Sequence, residues 1–225
     1  MKRIMVFWLV LLLPIFVLAK EYNISDINIK LDVNEDYIVL TRDNLNNNPD
    51  LEKLNVTEEY MKTVMENNNI YLDIIKNDLS YEILVVVPKT TPLFNNLSEA
   101  TDEELSTLKN TIIKETGDNM PIVYKNDYSY ITVNYHDSNG YYNMNYYTVF
   151  NSRGYNIQLQ KKTAITDSDK SDLNEIVDSI TFIKESDNKE PFNYKIIILG
   201  VVLGLIAGII TYIIGTKIIK KKSSK

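Results

Sequence analysis

YSYITVNYHDSNGYYNMNYYTVFNSRGYNIQLQ, residues 128–160, decides the fold. Three runs within it, Tyr128 to Tyr135, Tyr141 to Phe150 and Tyr155 to Gln160, are rich in Tyr, Val, Ile and Thr. Branched and aromatic side chains of this kind fit a pleated, half-buried surface. Between the runs lie His136-Asp137-Ser138-Asn139-Gly140 and Asn151-Ser152-Arg153-Gly154, segments built from turn residues. Strands joined by connections this short run antiparallel, because a parallel crossover needs a dozen or more residues. Residues 128–160 therefore predict a three-stranded meander.

Working outward, Asp167 to Ser179 carries Leu173, Ile176, Val177 and Ile180 at helical spacing, with Thr166 placed to cap the helix. Upstream, Thr101 and Glu104 form a capping box, and Leu105, Leu108, Ile112 and Ile113 are expected to face inward from a second helix. Tyr81 to Val87 holds the continuous run Ile83-Leu84-Val85-Val86-Val87, the pattern of a strand covered on both faces. Ile70 to Ile75 is a further strand, and Thr57 to Glu66 a helix with Tyr60, Met61, Val64 and Met65 on its apolar face. Ile27 to Val33 alternates apolar and polar, and Tyr37 to Thr41 follows so closely that the two are expected to form a hairpin. The fold class is α+β: an antiparallel sheet flanked by helices, an α/β/α sandwich.

Both ends of the chain have a different character. Lys2 and Arg3 precede a 15-residue apolar run, Ile4 to Leu18, and Val17-Leu18-Ala19 suits a cut before Lys20. Residues 1–19 are read as a signal peptide; an uncleaved anchor would leave the following domain on the same side. Ile196 to Thr216 is 21 residues without a charge, enough for a helix to cross a hydrocarbon core of about 30 Å. Lys217, Lys220, Lys221 and Lys222 follow it, so the 217–225 tail is placed in the cytoplasm. The expected map is an extracytoplasmic domain over 20–184, a linker over 185–195, a transmembrane helix over 196–216 and a basic tail. The expected location is a plasma membrane, crossed once. Gly200, Gly204 and Gly208 recur every four residues, with Gly215 seven further on, which makes a stripe where another helix could approach closely.

Composition excludes several chemistries. The chain has no cysteine and one histidine, which removes thiol catalysis and cysteine-bound metals. Its net charge is −6, but seven basic residues sit at the two ends. Positions 20–195 therefore hold 17 of the 24 basic residues against all 30 acidic ones, a charge of −13. A domain so acidic does not suit a nucleic-acid partner. Absence of cysteine in an exported chain fits a bacterial cell envelope. His136 and Asp137 are adjacent, yet no nucleophile motif accompanies them. Asp167 to Glu175 lacks the glycine and glutamate of a calcium loop, with Asp172 and Asp178 at those positions. No cofactor and no catalytic or metal-ligating residue is assigned.

The segments INIKLDVNEDYIVLTRD (27–43), residues 130–160 of the meander and NEIVDSITF (174–182) resemble PsbP-like and DcrB-like extracytoplasmic domains. That resemblance implies a non-catalytic sandwich that binds or helps assemble other components at a membrane, and it transfers no functional residue. The function expected is a membrane-tethered binding or assembly module. Its partner would be another envelope protein, or a second copy engaged through the glycine stripe. The alternative is a receptor for a wall glycan or small ligand that uses the tyrosine-rich meander, with Tyr141, Tyr142, Tyr146 and Tyr147 as contacts, since tyrosine offers a large apolar face with a polar tip.

Overall fold

The computed structural model describes residues 19–89, 92, 95–116, 122–125 and 128–183. The expected signal peptide, 1–19, lies outside the described residues but for Ala19, and the expected transmembrane segment 196–216, with the glycine stripe and the tail lysines, lies outside them altogether. No helix among the described residues is long and apolar enough to cross a membrane.

Among the described residues, ten strands form two antiparallel sheets. The small sheet has the order β1 (Ala19–Ile24), β2 (Ile29–Asn34), β10 (Thr181–Phe182). The large one runs β3 (Tyr37–Thr41), β4 (Ile70–Lys76), β5 (Glu82–Val86), β9 (Arg153–Lys161), β8 (Tyr142–Phe150), β7 (Tyr128–His136), β6 (Ile122–Lys125). The expected meander is its β7–β8–β9 section. At the β8–β9 turn Asn151 and Ser152 both have positive φ, 49° and 56°, the backbone that a tight hairpin with right-handed twist requires. At the β7–β8 turn, Asp137 Oδ1 accepts hydrogen bonds from the backbone of Asn139 and Tyr141.

The large sheet is covered on both faces, as the β5 run foretells. One face packs on the small sheet and on α4 (Asp167–Ser179), whose Leu173, Ile176 and Val177 meet Ile29, Leu31 and Val33 of β2 and Ile83, Val85, Ile157 and Leu159 of the large sheet. Thr166 and Asp169 make a reciprocal capping box at the start of that helix. Phe182 of β10 packs at 4.6 Å from Tyr128, 5.1 Å from Phe150 and 4.7 Å from Tyr155. The Tyr155 hydroxyl donates to the Ile27 carbonyl, which ties the two sheets together. The opposite face carries two separate helical covers. A single turn, α1 (Asp50–Lys53), and α2 (Glu58–Asn67) lie over β3, β4 and β5, while α3 (Asp102–Thr116) lies over β7 and β8. The sandwich is thus α/β/α with a composite third layer, a helix plus a three-stranded sheet.

Two expectations are corrected. Ile27–Val33 and Tyr37–Thr41 do not form a hairpin: β2 pairs with β1 and β10, and β3 with β4. The two-residue link Glu35-Asp36 turns a corner between sheets because its carbonyls are claimed by the β4–β5 turn, through Asn77 Nδ2 to Glu35 and Asn77 N to Asp36. Ile113 of α3 is exposed rather than inward; Leu108 and the partly buried Leu105 suffice to seat that helix.

Candidate functional site

Between the two helical covers of the large sheet runs a strip of buried polar side chains. Alternation along β9 sends Tyr155, Ile157 and Leu159 into the core beneath α4, and Asn156, Gln158 and Gln160 to the opposite face. Asn143 and Asn145 of β8 share that face, as do Glu82 of β5 and Asp73 of β4, because Glu82 pairs Gln160, Gln160 pairs Asn143 and Ile75 pairs Glu82. The groups are chained. Gln158 Nε2 donates to Asn143 Oδ1 at 2.8 Å and to Gln160 Oε1 at 3.3 Å, and Gln160 Nε2 donates to Glu82 Oε1. Asn156 Nδ2 donates to Gln158 Oε1 at 3.4 Å. Buried polar groups are nearly always bonded, yet Asp73 Oδ1, Asn145 Oδ1 and Asn156 Oδ1 have no partner among the described residues.

At the β4 end the strip opens into a cleft of about 440 Å³, within the size range of small-molecule sites. Its floor is Asp73, Glu82 and Gln160. One wall is apolar, from Leu54 and Val56 after α1, Met61 of α2, Ile75 of β4 and Leu79 in the β4–β5 turn; the other holds Tyr141, Lys161 and Lys162. Leu79 is held at φ 60° with half its surface exposed, an apolar rim.

The electrostatics of the floor are unusual. Asp73 is 5 % exposed, and burial pushes its carboxyl well above the ordinary carboxylate range, with the charge of Glu82 adding to the shift. Burial also raises Glu82, against the hydrogen bond from Gln160, which lowers it. Burial, then Glu82, raises the Tyr60 hydroxyl on α2. Among the described residues neither carboxyl forms an ion pair: Lys161 Nζ bonds Asp169 at 2.7 Å on the far face, and Lys162 Nζ lies 5.6 Å from the centre of the Tyr141 ring. Perturbed titrating groups in a cleft are marks of a functional site. No group of three or more His, Cys, Asp or Glu that could hold a metal occurs among the described residues.

A second titratable cluster has a structural task. The Tyr81 hydroxyl donates to Asp172 of α4 and lies 3.0 Å from that of Tyr37, while Lys76 Nζ sits 3.3 Å from Asp172. These bonds fasten α4 to the ends of β3, β4 and β5.

The four meander tyrosines separate. Tyr146 and Tyr147 are buried on opposite faces of β8, the first with its hydroxyl donating to Asn174 of α4 at 2.6 Å. Their rings belong to the cores and present no contact surface. Tyr142 is exposed, its ring centred 4.5 Å from that of His136 and tilted 50° to it, and of the four only Tyr141 reaches the cleft. Sequence reasoning missed Asp73, Glu82 and the amide strip. The available signal was a carboxylate inside the run Ile70 to Ile75, together with three consecutive amides on alternate positions of β9.

No protein-family model matches the chain, and no curated protein matches it. Among solved structures it is similar to the solution structure of cyanobacterial PsbP (CyanoP) from Synechocystis, with 11% sequence identity and a TM-score of 0.43, covering 74% of this chain and 94% of that chain. The likeness assigns no residue of this chain a role.

Proposed function

We propose that this chain is a membrane-tethered, non-catalytic binding module whose binding site is the cleft between α2 and the ends of β8 and β9 at Tyr141 and Lys161. The observation that carries the reading is Asp73: a carboxyl buried to 5 % exposure, with an unpartnered oxygen, on the floor of an open cleft with an apolar wall. An unpaired buried polar group costs roughly 1–3 kcal/mol, and a bound molecule that supplies the missing partner recovers part of that. The tether rests on the apolar segment Ile196 to Thr216 and the lysines behind it. Assembly with another envelope protein through Gly200, Gly204 and Gly208 is compatible with this reading and rests on their spacing alone.

The test uses the full chain in nonionic detergent and a small neutral aromatic probe, 2-phenylethanol, followed by ligand-observed NMR with protein-free micelles as the blank. Saturation transfer above the blank is expected, and it is lost in Val56→Trp, which fills the cleft from its wall. Transfer unchanged by Val56→Trp refutes the cleft as the site, and so does the absence of binding for both 2-phenylethanol and its amine analogue 2-phenylethylamine.

A further inference from the structure

We infer that the ligand of this cleft is a small organic cation, a primary ammonium on an apolar or aromatic body, with its charged end on Asp73 and Glu82 and its body along Leu54, Val56 and Ile75. This rests on the reading of the cleft as a binding site and names the chemistry that site would accept.

Three observations converge. The first is charge: two carboxyls on adjacent strands share one face, diagonal across the β4–β5 ladder, with no lysine or arginine among the described residues paired to either. Of the two lysines that line the cleft, Lys161 is committed to Asp169, and Lys162 holds its Nζ 5.6 Å from the centre of the Tyr141 ring rather than on either carboxyl. A positive ligand group is the complement that this floor lacks. The second is hydrogen bonding. Asp73 Oδ1 is buried and unpartnered, whereas Gln160 already directs its amide N–H at Glu82. Once ionised, Asp73 accepts only, so the group that would hold it in that form is a donor, and an ammonium brings three. The third is the wall. Leu54, Val56, Met61, Ile75 and Leu79 form a continuous apolar side to a cleft of about 440 Å³, which suits a hydrocarbon or aromatic stem rather than a hydrated ion.

The same geometry disfavours an inorganic cation. Calcium takes six to eight oxygen ligands and magnesium demands an octahedron. Here the floor offers two carboxyls and an amide whose donor end is already turned to one of them.

The experiment compares 2-phenylethylamine, charged at neutral pH, with the near-isosteric neutral 2-phenylethanol, each titrated by isothermal calorimetry into the full chain in nonionic detergent. The amine is expected to bind at least tenfold more tightly than the alcohol. In Asp73→Asn, which keeps the shape and the fold, the amine should fall to the affinity of the alcohol, and Glu82→Gln should give a partial loss. If the two probes bind equally in the native chain, the cleft survives as a binding site and the cation inference is overturned. If neither binds, the reading of the cleft falls with it. Calcium chloride is the third arm: heat that depends on Asp73 would overturn the organic cation in favour of a metal. Nα-acetyl-lysinamide is the fourth, and a tenfold preference for it over 2-phenylethylamine would identify the lysine of a partner protein and overturn the small-molecule assignment.

Discussion

Asp73 should make the domain less stable as pH rises, the reverse of the usual behaviour of a carboxylate. In the unfolded chain an aspartate titrates near about 3.9. In the folded chain, burial and then the charge of Glu82 hold the Asp73 carboxyl well above that. Between those two values the native state binds a proton that the unfolded state has released. The stabilising contribution is therefore complete below the unfolded value and is lost as pH climbs through the folded one. Each pH unit inside the window removes about 1.4 kcal/mol, so two units remove a sizeable part of a total stability of about 5–15 kcal/mol. Asp73→Asn abolishes the titration with little change of shape. Its advantage over the native chain should be near zero at about pH 4 and grow by about 1.4 kcal/mol per unit above it. Asp169 acts on the other side. Burial works against its charged form, yet Lys161 and the backbone of Thr166 hold its carboxyl below the ordinary value. Its contribution is present above the unfolded value and fades only in stronger acid. The assay is thermal or urea unfolding of the full chain in nonionic detergent, read by near-ultraviolet circular dichroism of its tyrosines. Stability curves for the native chain and Asp73→Asn that stay parallel from about pH 4 to pH 8 would refute a buried, proton-binding Asp73.

Gly154→Ala should destabilise by about 1–3 kcal/mol, because the added Cβ would stand 2.8 Å from the hydroxyl oxygen of Tyr147, whose ring is fixed in the core beneath α3. Tyr147→Phe in the same chain should recover part of the loss, since the next atoms lie at 3.4 and 3.5 Å; additive effects in urea unfolding would contradict that contact. Thr166→Ala removes one half of the α4 capping box and should lower the unfolding free energy by about 1 kcal/mol, and no change in the midpoint would show the cap to be idle. A cysteine at Ser138, exposed at the tip of the β7–β8 turn, should react with an impermeant maleimide on intact cells whose wall is permeabilised. A cysteine at Ser223 should not, and labelling at Ser223 would overturn the orientation.

What the sequence discloses and what it hides divide along a physical line. Segments whose structure follows from local pattern are legible. The meander, the buried β5 run, the Thr101–Glu104 capping box, the Thr166 cap and α4 from Asp167 to Ser179 stand where periodicity and cap residues put them. Pairing between segments is less legible. Two residues between β2 and β3 look like a hairpin turn, but register goes to whichever partner buries the apolar face best. The face of Ile29, Leu31 and Val33 packs on α4 and on the large sheet, Tyr37 and Val39 of β3 included, while the ladder bonds of β2 go to β1 and β10. β1 and β10 are invisible for the related reason that an exposed edge strand and a two-residue strand carry little hydrophobic signal.

The candidate site was hidden by the same logic that revealed the strands. A period of two separates an apolar face from a polar one, and it is silent on whether the polar face meets water. Asn156, Gln158 and Gln160 read as the wet side of β9, and Asp73 as a single polar position in β4. Both lie instead under or between helices that the sheet recruits through neighbouring apolar residues, α2 through Leu40, Leu84 and Val86, and α3 through Ile131, Val133 and Val149. Because those two helices seat on separate apolar patches, a strip between them is enclosed without being apolar. A chain selected for stability alone would fill that strip with hydrocarbon, since unpaired buried polar atoms destabilise. Retaining a carboxyl with an unpartnered oxygen where the strip meets a cleft is a local conflict of the kind that binding sites display. For that reason Asp73, rather than any residue prominent in the sequence, is the position at which this domain's function should be sought.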